Sequence, residues 1–266
     1  MQSTIIIPSY RRANRLLQTK NTLTDMPIHW RERTALFVRE EEREAYERTA
    51  DVLGVRLVSF VPSMPAYSSK VFGWGHTMDA IFDKYTTEQE RFVVMDDDLA
   101  LFNHDHGKYS PIDWDAMMEA LLSTDEEYPL ASILPRQFSQ DHVDPVEYNT
   151  RMMQVFSVFS DKLRYKYRFA RDSGMMYMTD MFFTLNTLQH GVKNKVYTTF
   201  VRNDVPNTPG GCLALGRDAA SHGKDAFRLR QHFPHLVTLY QKEAGNWEKG
   251  TIGTRVQWRK AYRPAE

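Results

Sequence analysis

The chain has 266 residues, 42% of them hydrophobic, which is enough apolar material for one large domain or two small ones. Its 34 basic residues balance 34 acidic ones, so a polyanionic partner would have to be met by a local basic patch and not by the whole surface. The single cysteine, Cys212, excludes an intrachain disulfide and favours a reducing compartment.

The sequence contains no internal repeat and no low-complexity segment. No apolar stretch reaches the roughly 20 residues that span a bilayer. The N-terminus lacks the charged and apolar regions of a signal peptide. These features predict a soluble, cytoplasmic protein without a membrane partner.

Strands and helices alternate over the first hundred residues. Apolar, β-branched runs predict buried strands over 4–8, 34–38 and 56–61, and a further strand from Arg91 to the acidic residues 96–98. Runs rich in helix formers predict helices over 13–23, 40–53 and 72–85. This order is typical of a doubly wound α/β sheet of parallel strands, whose ligands bind beyond the carboxyl ends of the strands.

The second half of the chain is more irregular. Its patterns predict helices over 113–122, 179–190 and 219–233, strands over 130–134 and 195–201, a loop over 203–211, and a strand or buried helix over 151–159. No clean linker interrupts the chain. We therefore predict one domain over residues 1–266, with a nucleotide-binding half at 1–110 and an acceptor half at 111–266.

Three consecutive aspartates, Asp96, Asp97 and Asp98, follow the fourth predicted strand. Adjacent carboxylates repel one another, and a divalent metal with oxygen ligands is the simplest compensating charge. A solvated acidic turn is the other interpretation. Because strand residues alternate in direction, Asp97 should point away from Asp96 and Asp98. The segment Pro8–Arg12 also follows a strand, so its arginines and these aspartates are expected to share one ligand crevice.

These segments resemble a known enzyme family. A strand ending in Pro8-Ser9-Tyr10-Arg11-Arg12 and a later strand ending in three aspartates resemble GT-A glycosyltransferases, and residues 73–79 (GWGHTMD) and 179–183 (TDMFF) fit the same plan. Gly210-Gly211-Cys212, Arg217 and residues 256–260 (VQWRK) are similar to the phage TET/JBP-associated glycosyltransferases. That group is thought to attach sugars to hydroxymethylated bases in DNA.

The resemblance implies a GT-A (Rossmann-like) α/β fold, with a mostly parallel sheet flanked by helices and an acceptor-binding C-terminal half. It also implies a metal-dependent transfer of sugar from a nucleotide-sugar to the hydroxymethyl group of 5-hydroxymethylcytosine or 5-hydroxymethyluracil in phage DNA. The location would be the host cytoplasm. The donor would be a UDP-sugar such as UDP-glucose, UDP-arabinose or UDP-GlcNAc, and the ion Mn²⁺ or Mg²⁺.

Donor binding requires stabilisation of the negative charge on the departing pyrophosphate. Asp96 and Asp98 are the expected metal ligands, with His222 as a candidate third ligand. An ordinary helical histidine is the alternative for His222, and an ordinary surface pair is the alternative for the two arginines. The residues expected to hold the nucleotide-sugar are Pro8, Ser9, Arg11, Arg12, Lys70, Asp96 and Asp97.

Asp180 is the candidate general base, because an acceptor hydroxyl must lose its proton as it attacks the anomeric carbon. The alternative is that Thr179 or Asp180 caps the helix that follows. If Asp180 is the base, a single displacement inverts the anomeric centre. Otherwise retention remains open.

Residues 162–171 (KLRYKYRFAR) alternate basic and mostly aromatic residues. As a strand they would present a basic face suited to phosphates and an aromatic face able to stack on an unpaired base. By pattern alone, a half-buried strand with a solvated basic face is the simpler interpretation. The candidate DNA-binding residues are Arg164, Lys166, Arg168, Arg171 and, in a second basic-aromatic segment, Arg259.

Three other functions remain possible on the sequence. One is a glycosyltransferase acting on a polysaccharide, lipid or protein. Another is a nucleotidyltransferase, although such enzymes usually carry a glycine-rich loop where this chain has residues 9–12 (SYRR). The third is a DNA-binding module without catalysis. The sequence makes no prediction of oligomeric state.

Overall fold

The computed structural model describes residues 4–62, 73–139, 144–163, 166–171, 173–204, 209–211, 214, 216, 218–243 and 250–264. The strands are Ile5–Pro8 (β1), Thr34–Arg39 (β2), Arg56–Phe60 (β3), Arg91–Met95 (β4), Leu99–Asp105 (β5), Lys108–Pro111 (β6), Leu130–Pro135 (β7), Val146–Tyr148 (β8), Val155–Phe159 (β9), Asn194–Asp204 (β10), Val237–Gln241 (β11) and Ile252–Val256 (β12).

The α-helices are Ala13–Gln18 (α1), Thr22–Asp25 (α2), Ile28–Arg31 (α3), Arg43–Leu53 (α4), Trp74–Glu88 (α5), Trp114–Leu122 (α6), Ser160–Leu163 (α7), Thr179–Gln189 (α8) and Ala219–His232 (α9). Short 3-10 helices lie at Glu40–Glu42, Arg136–Phe138 and Trp258–Lys260. No helix in the described ranges is long and apolar enough to cross a bilayer.

A ten-stranded sheet in the order β3-β2-β1-β4-β9-β7-β10-β5-β6 forms the centre of the molecule, and β8 pairs with β10. Strands β3, β2, β1 and β4 are parallel, as predicted for the nucleotide-binding half. Strand β9 is antiparallel to β4 and β7, whereas β7 and β10 run parallel. The α/β fold class is confirmed. Strands β5, β6, β8 and β9 pair antiparallel with their neighbours.

Alternating side chains of the central strands face two separate hydrophobic layers. Ile5 and Ile7 of β1 pack in one cluster with α1, α4 and α6, whereas Ile6 packs in the other with α5. All three isoleucines are fully buried, which explains the continuous apolar run of this strand. A third cluster joins α8 to α9, β11 and the C-terminal segment.

Most sequence-predicted elements lie within a few residues of their expected bounds, with four exceptions, of which the strand over 162–171 is described in the next paragraph. The predicted helix over 13–23 is split, because Asn21 caps a new helix by accepting hydrogen bonds from the amides of Leu23 and Thr24. The predicted helix over 40–53 begins with a 3-10 turn. Only Val155–Phe159 of the ambiguous segment 151–159 is regular, and it is a strand.

The predicted strand over 162–171 is wrong in its described part. Residues up to Leu163 belong to α7, and residues 166–171 are irregular. The cause is Asp79 of α5, whose buried carboxylate accepts the backbone N–H groups of Phe169, Ala170 and Arg171 at 2.6–3.2 Å. These amides are therefore not available for strand pairing.

We expect Asp79→Ala to destabilise the protein by about 1–3 kcal/mol, because three amide donors lose their shared acceptor. The free energy of unfolding in urea measures the effect. Glu88→Ala on the same helix is the control, since it removes an exposed i,i+4 ion pair with Lys84 and should cost about 0.5 kcal/mol or less. Equal losses in both variants would show that Asp79 does not anchor residues 169–171.

Candidate active site

The carboxyl ends of β1 and β4 lie side by side, because these strands pair in parallel with Ile5 opposite Val93. The sequence predicted that the segments after these strands would meet, and they do. The Arg12 guanidinium forms an ion pair with Asp97 and lies 3.1 Å from the Asp98 carboxylate.

Asp97 points into the protein, but the predicted strand alternation does not hold, because residues 97 and 98 form a turn and their carboxylates both contact Nη1 of Arg12. Its side chain is 2% exposed, accepts a hydrogen bond from the Ser9 hydroxyl and pairs with Arg12. The Ser9 and Tyr46 hydroxyls lie 2.9 Å apart, and the Tyr46 hydroxyl also accepts the Arg12 backbone N–H. Asp97 thus fixes the turn after β1 and the position of Arg12.

Asp96 lines the large cavity described below, whereas Asp98 lies with Arg12 and Asp97 around a separate small cleft. Burial, followed by repulsion from Asp98, raises the pKa of Asp96 well above its usual value, and the Trp74 indole N–H donates to this carboxylate at 2.9 Å. Burial and the charge of Asp97 raise the pKa of Asp98 to about 6, against the opposing effect of Arg12. Both ionised carboxylates are therefore costly to hold together without a further positive charge.

The segment 209–211 packs directly on Arg12. The Arg12 Nε donates to the Pro209 carbonyl at 3.2 Å, and the Gly211 N–H donates to the Tyr10 carbonyl at 2.9 Å. Gly210 has φ +91°, and a Cβ there would lie 2.6 Å from the Arg12 Cγ. Only glycine fits this approach, which gives a physical reason for the Gly210-Gly211 pair. Cys212 and Arg217, which carried part of the resemblance, lie outside the described residues.

A cavity of about 560 Å³ opens beside Asp96. Its size is ordinary for a small-molecule site. Strand ends, the first turns of α5 and α8, helix α9 and the β11–β12 hairpin all contribute to its wall. Its polar lining includes Asp96, Arg151, Asp180, Asp204, His222 and Lys242.

Asp180 lies in the first turn of α8 with its carboxylate on the cavity. In the described residues, no protein group forms a hydrogen bond or an ion pair with this carboxylate. The capping interpretation is not supported, because the N-cap is Met178 with φ +55° and no side chain bonds the free amides of the helix. Asp180 is thus available to a ligand.

Two arginines, the half-buried Arg151 and the buried Arg202, balance part of the acidic charge. Burial lowers the pKa of Arg151, while the charge of Asp180 opposes that shift, and the buried Arg151 Nε has no hydrogen-bond partner in the described part of the chain. Arg202 is 2% exposed, donates to the Met153 carbonyl at 3.1 Å and pairs with Asp204 at 2.5 Å. Arg151 is therefore a cavity cation with capacity for a new anionic partner.

Sequence reasoning missed Trp74, Arg151, Arg202 and Asp204. Asp204 ends β10 opposite Leu99 and adds a second repulsive charge near Asp96 and Asp98. The sequence does contain a pattern that indicates Asp204, because VRND at 201–204 passes from apolar to acidic residues as the end of β4 does. The sequence pattern predicts a loop from Asn203 onward, whereas β10 continues through Asp204.

His222 lies on α9 and lines the same cavity, where its Nε2 is 3.5 Å from the Lys242 amine. Across the described ranges, no group of three or more His, Cys, Asp or Glu side chains forms a ready-made metal site. The role of His222 as a metal ligand stays a prediction.

The residues at the end of β4 nevertheless suit Mg²⁺ or Mn²⁺. These ions are commonly held by one or two carboxylates together with substrate phosphates. The raised pKa values of Asp96 and Asp98 mark a surplus of negative charge that a cation would relieve.

The other predicted site residues are dispersed. Pro8 and Ser9 are buried beneath the crevice, and Arg11 is exposed, with φ +55° and its N–H on Glu42. Lys70 and Arg164 lie outside the described residues. Lys166 and Arg259 are exposed.

Arg168 and Arg171 both pair with Asp83 of α5. Arg168 is only 5% exposed. A contact between Arg168 and DNA would therefore require this ion pair to open.

A family model for the TET-associated glycosyltransferases matches residues 3–207. The chain belongs to this family, and the enzyme is a glycosyltransferase. No curated protein matches the chain significantly.

Three solved structures resemble the chain. The inositol-1-phosphate CTP transferase from T. maritima is 13% identical over 87% of this chain and 98% of its own, with a TM-score of 0.45. Mannose-1-phosphate geranyltransferase from Thermus thermophilus is 12% identical over 61% and 59%, with a TM-score of 0.32. Mouse xyloside xylosyltransferase 1 is 12% identical over 62% and 69%, with a TM-score of 0.33. The assignment rests on the family match.

We expect Asp98→Asn to lower turnover about 100-fold or more, because the neutral amide removes charge that must hold the donor complex. Metal-free stability at pH 7.5 should not fall. The folded-state pKa of Asp98 is raised to about 6, so its ionised form disfavours folding above that pH. Mn²⁺ with UDP should raise the melting temperature of the wild type but not of the variant.

Asp105→Asn is the matched control, because the Asp105 side chain is exposed. Its turnover and melting temperature should equal those of the wild type. Full turnover in Asp98→Asn would remove Asp98 from the donor site.

Proposed function

We propose that this glycosyltransferase transfers a sugar from a UDP-sugar to the hydroxymethyl group of 5-hydroxymethylcytosine or 5-hydroxymethyluracil in DNA, with Mn²⁺ or Mg²⁺. One observation carries the proposal. Asp96, whose carboxylate is suited to a metal ion, and Asp180, whose carboxylate bonds to no protein group in the described residues, line a single cavity of about 560 Å³. One cavity thus offers a donor end and an acceptor end.

The donor end would lie at the carboxyl ends of β1 and β4. A divalent ion on Asp96 and Asp98 would supply charge stabilisation to the departing diphosphate. Arg12 adds a fixed guanidinium beside Asp98, held in place by Asp97 and the Pro209 carbonyl. Because Asp97 and Ser9 bond to protein groups, we assign them to positioning of Arg12 and propose no direct donor contact for either.

At the acceptor end, Asp180 would take the proton of the hydroxymethyl group as its oxygen attacks the anomeric carbon. The bond from that carbon to the diphosphate oxygen breaks as the glycosidic bond forms, so a single displacement inverts the centre. Arg151 lines the same cavity, so a positive charge lies on the same wall as Asp180.

The DNA acceptor is supported by the family, whose name links it to the TET enzymes, and by the basic residues of the chain. Lys166, Arg171 and Arg259 are proposed to contact the phosphate backbone, together with Arg164 and, after opening of its ion pair, Arg168. A hydroxymethylated base in a duplex would have to be flipped out to reach the cavity.

A transfer assay tests the proposed function. UDP-glucose, UDP-arabinose and UDP-GlcNAc are each paired with hydroxymethylcytosine DNA, hydroxymethyluracil DNA and unmodified DNA, with Mn²⁺ or EDTA, and nucleosides are analysed by mass spectrometry. We expect a sugar adduct on one modified base that is lost with EDTA. Metal-dependent hydrolysis of a UDP-sugar without any DNA adduct would reject the DNA acceptor and favour a polysaccharide, lipid or protein acceptor.

Asp180→Asn should reduce transfer to DNA by about 10²- to 10⁴-fold, the usual contribution of a general base. Mn²⁺-dependent binding of UDP, measured by calorimetry, should persist, because Asp96 and Asp98 are intact. Asp115→Asn alters an exposed carboxylate at the matching position of α6 and should leave transfer unchanged. A wild-type rate in Asp180→Asn would exclude it as the base.

A further inference from the structure

The β11–β12 hairpin lies beyond the family match and forms part of the cavity wall. Its two strands pair antiparallel, with Tyr240 opposite Gly253 and Thr238 opposite Arg255. Tyr240, Lys242, Gly253 and Thr254 all line the cavity that contains Asp180. The hairpin therefore belongs to the site, although residues 3–207 define the family.

Tyr240 is an exposed aromatic residue at the edge of this cavity, with 43% of its surface accessible. Its ring crosses the opposite strand at Gly253, where a Cβ would lie 2.9 Å from the ring atoms Cε1 and Cζ. Because Gly253 has no side chain, the ring can lie close against the backbone. An aromatic ring over a strand glycine stabilises many sheets, but sheet stability alone does not require the ring to border a cavity.

The hairpin also belongs to the basic part of the chain. Residues 208–266 contain ten lysines and arginines against five acidic residues, so the preceding residues carry a net negative charge within a neutral protein. Arg255 has its guanidinium carbon 5.7 Å from the Tyr240 ring centroid and is exposed. Other exposed basic residues of this segment are Lys224, Arg259, Lys260 and Arg263. A polyanion is the class of partner that this basic composition favours.

We propose that Tyr240 is the stacking platform for the acceptor pyrimidine and that Arg255 contacts the phosphate beside it. Stacking on a rigid aromatic ring holds an unpaired base whatever its sequence context. The platform borders the cavity of Asp180, so a stacked pyrimidine would have its hydroxymethyl group on the side of the general base. This inference rests on the proposed function and adds a residue outside the family match.

The test compares Tyr240→Ala, Tyr240→Phe, Gly253→Ala and the double variant Tyr240→Ala/Gly253→Ala. The KM for the modified DNA, the KM for the UDP-sugar and the melting temperature are measured for each. Tyr148→Ala, which removes an exposed strand tyrosine of β8, is the matched control.

We expect Tyr240→Ala to raise the KM for DNA by about 5- to 150-fold, the range found for loss of one base–aromatic stack. The KM for the UDP-sugar should change much less. Tyr240→Phe should remain close to wild type, because the ring is kept. Gly253→Ala should raise the KM for DNA by displacing the ring, and it should add nothing in the Tyr240→Ala background.

The outcomes separate this inference from the proposed function. If wild-type protein modifies DNA but Tyr240→Ala and Tyr240→Phe have the same KM for DNA, the platform is rejected and the function stands. If Tyr240→Ala does not fold, Gly253→Ala decides, and an unchanged KM for DNA rejects the platform. If wild-type protein glycosylates only a glycan, lipid or protein, the proposed function and the base platform are both rejected.

Discussion

The constraint on which the site depends is the burial of Asp96 and Asp98 at the end of β4. Burial and mutual repulsion raise the pKa of both carboxylates, and Arg12 compensates only part of the charge. Asp97 is buried and fixes Arg12, while Trp74 fixes Asp96. Uncompensated buried acidic charge is costly unless a cation accompanies it, and this cost is the physical basis of the proposed metal site.

The rest of the cavity comes from elements distant in the chain. Strand β10 carries Arg202 and Asp204 to the same sheet edge by pairing with β5 and β7. Helix α8 supplies Asp180, and the C-terminal hairpin supplies the rim with Tyr240 and Lys242. Residues beyond the family match thus line the same cavity as residues within it.

The sequence predicted that Arg12 and the aspartates after β4 would meet, because this geometry follows from a local rule. Two neighbouring parallel strands that end in arginines and aspartates bring those side chains to one sheet edge. Arg151, Arg202 and Asp204 were missed because their positions depend on non-local strand pairing. The segment 162–171 was misassigned because Asp79 and Asp83, nearly 90 residues earlier, capture its amides and guanidinium groups.

The most direct test of the buried acidic site is calorimetry of UDP binding at pH 6 with Mn²⁺ and with EDTA, in two buffers of different ionisation enthalpy. We predict that UDP binds tightly only with Mn²⁺ and that binding releases protons, because Asp98, with a pKa of about 6, and Asp96 must ionise. Equal UDP affinity in EDTA, without proton release, would contradict a metal-bound donor at these aspartates.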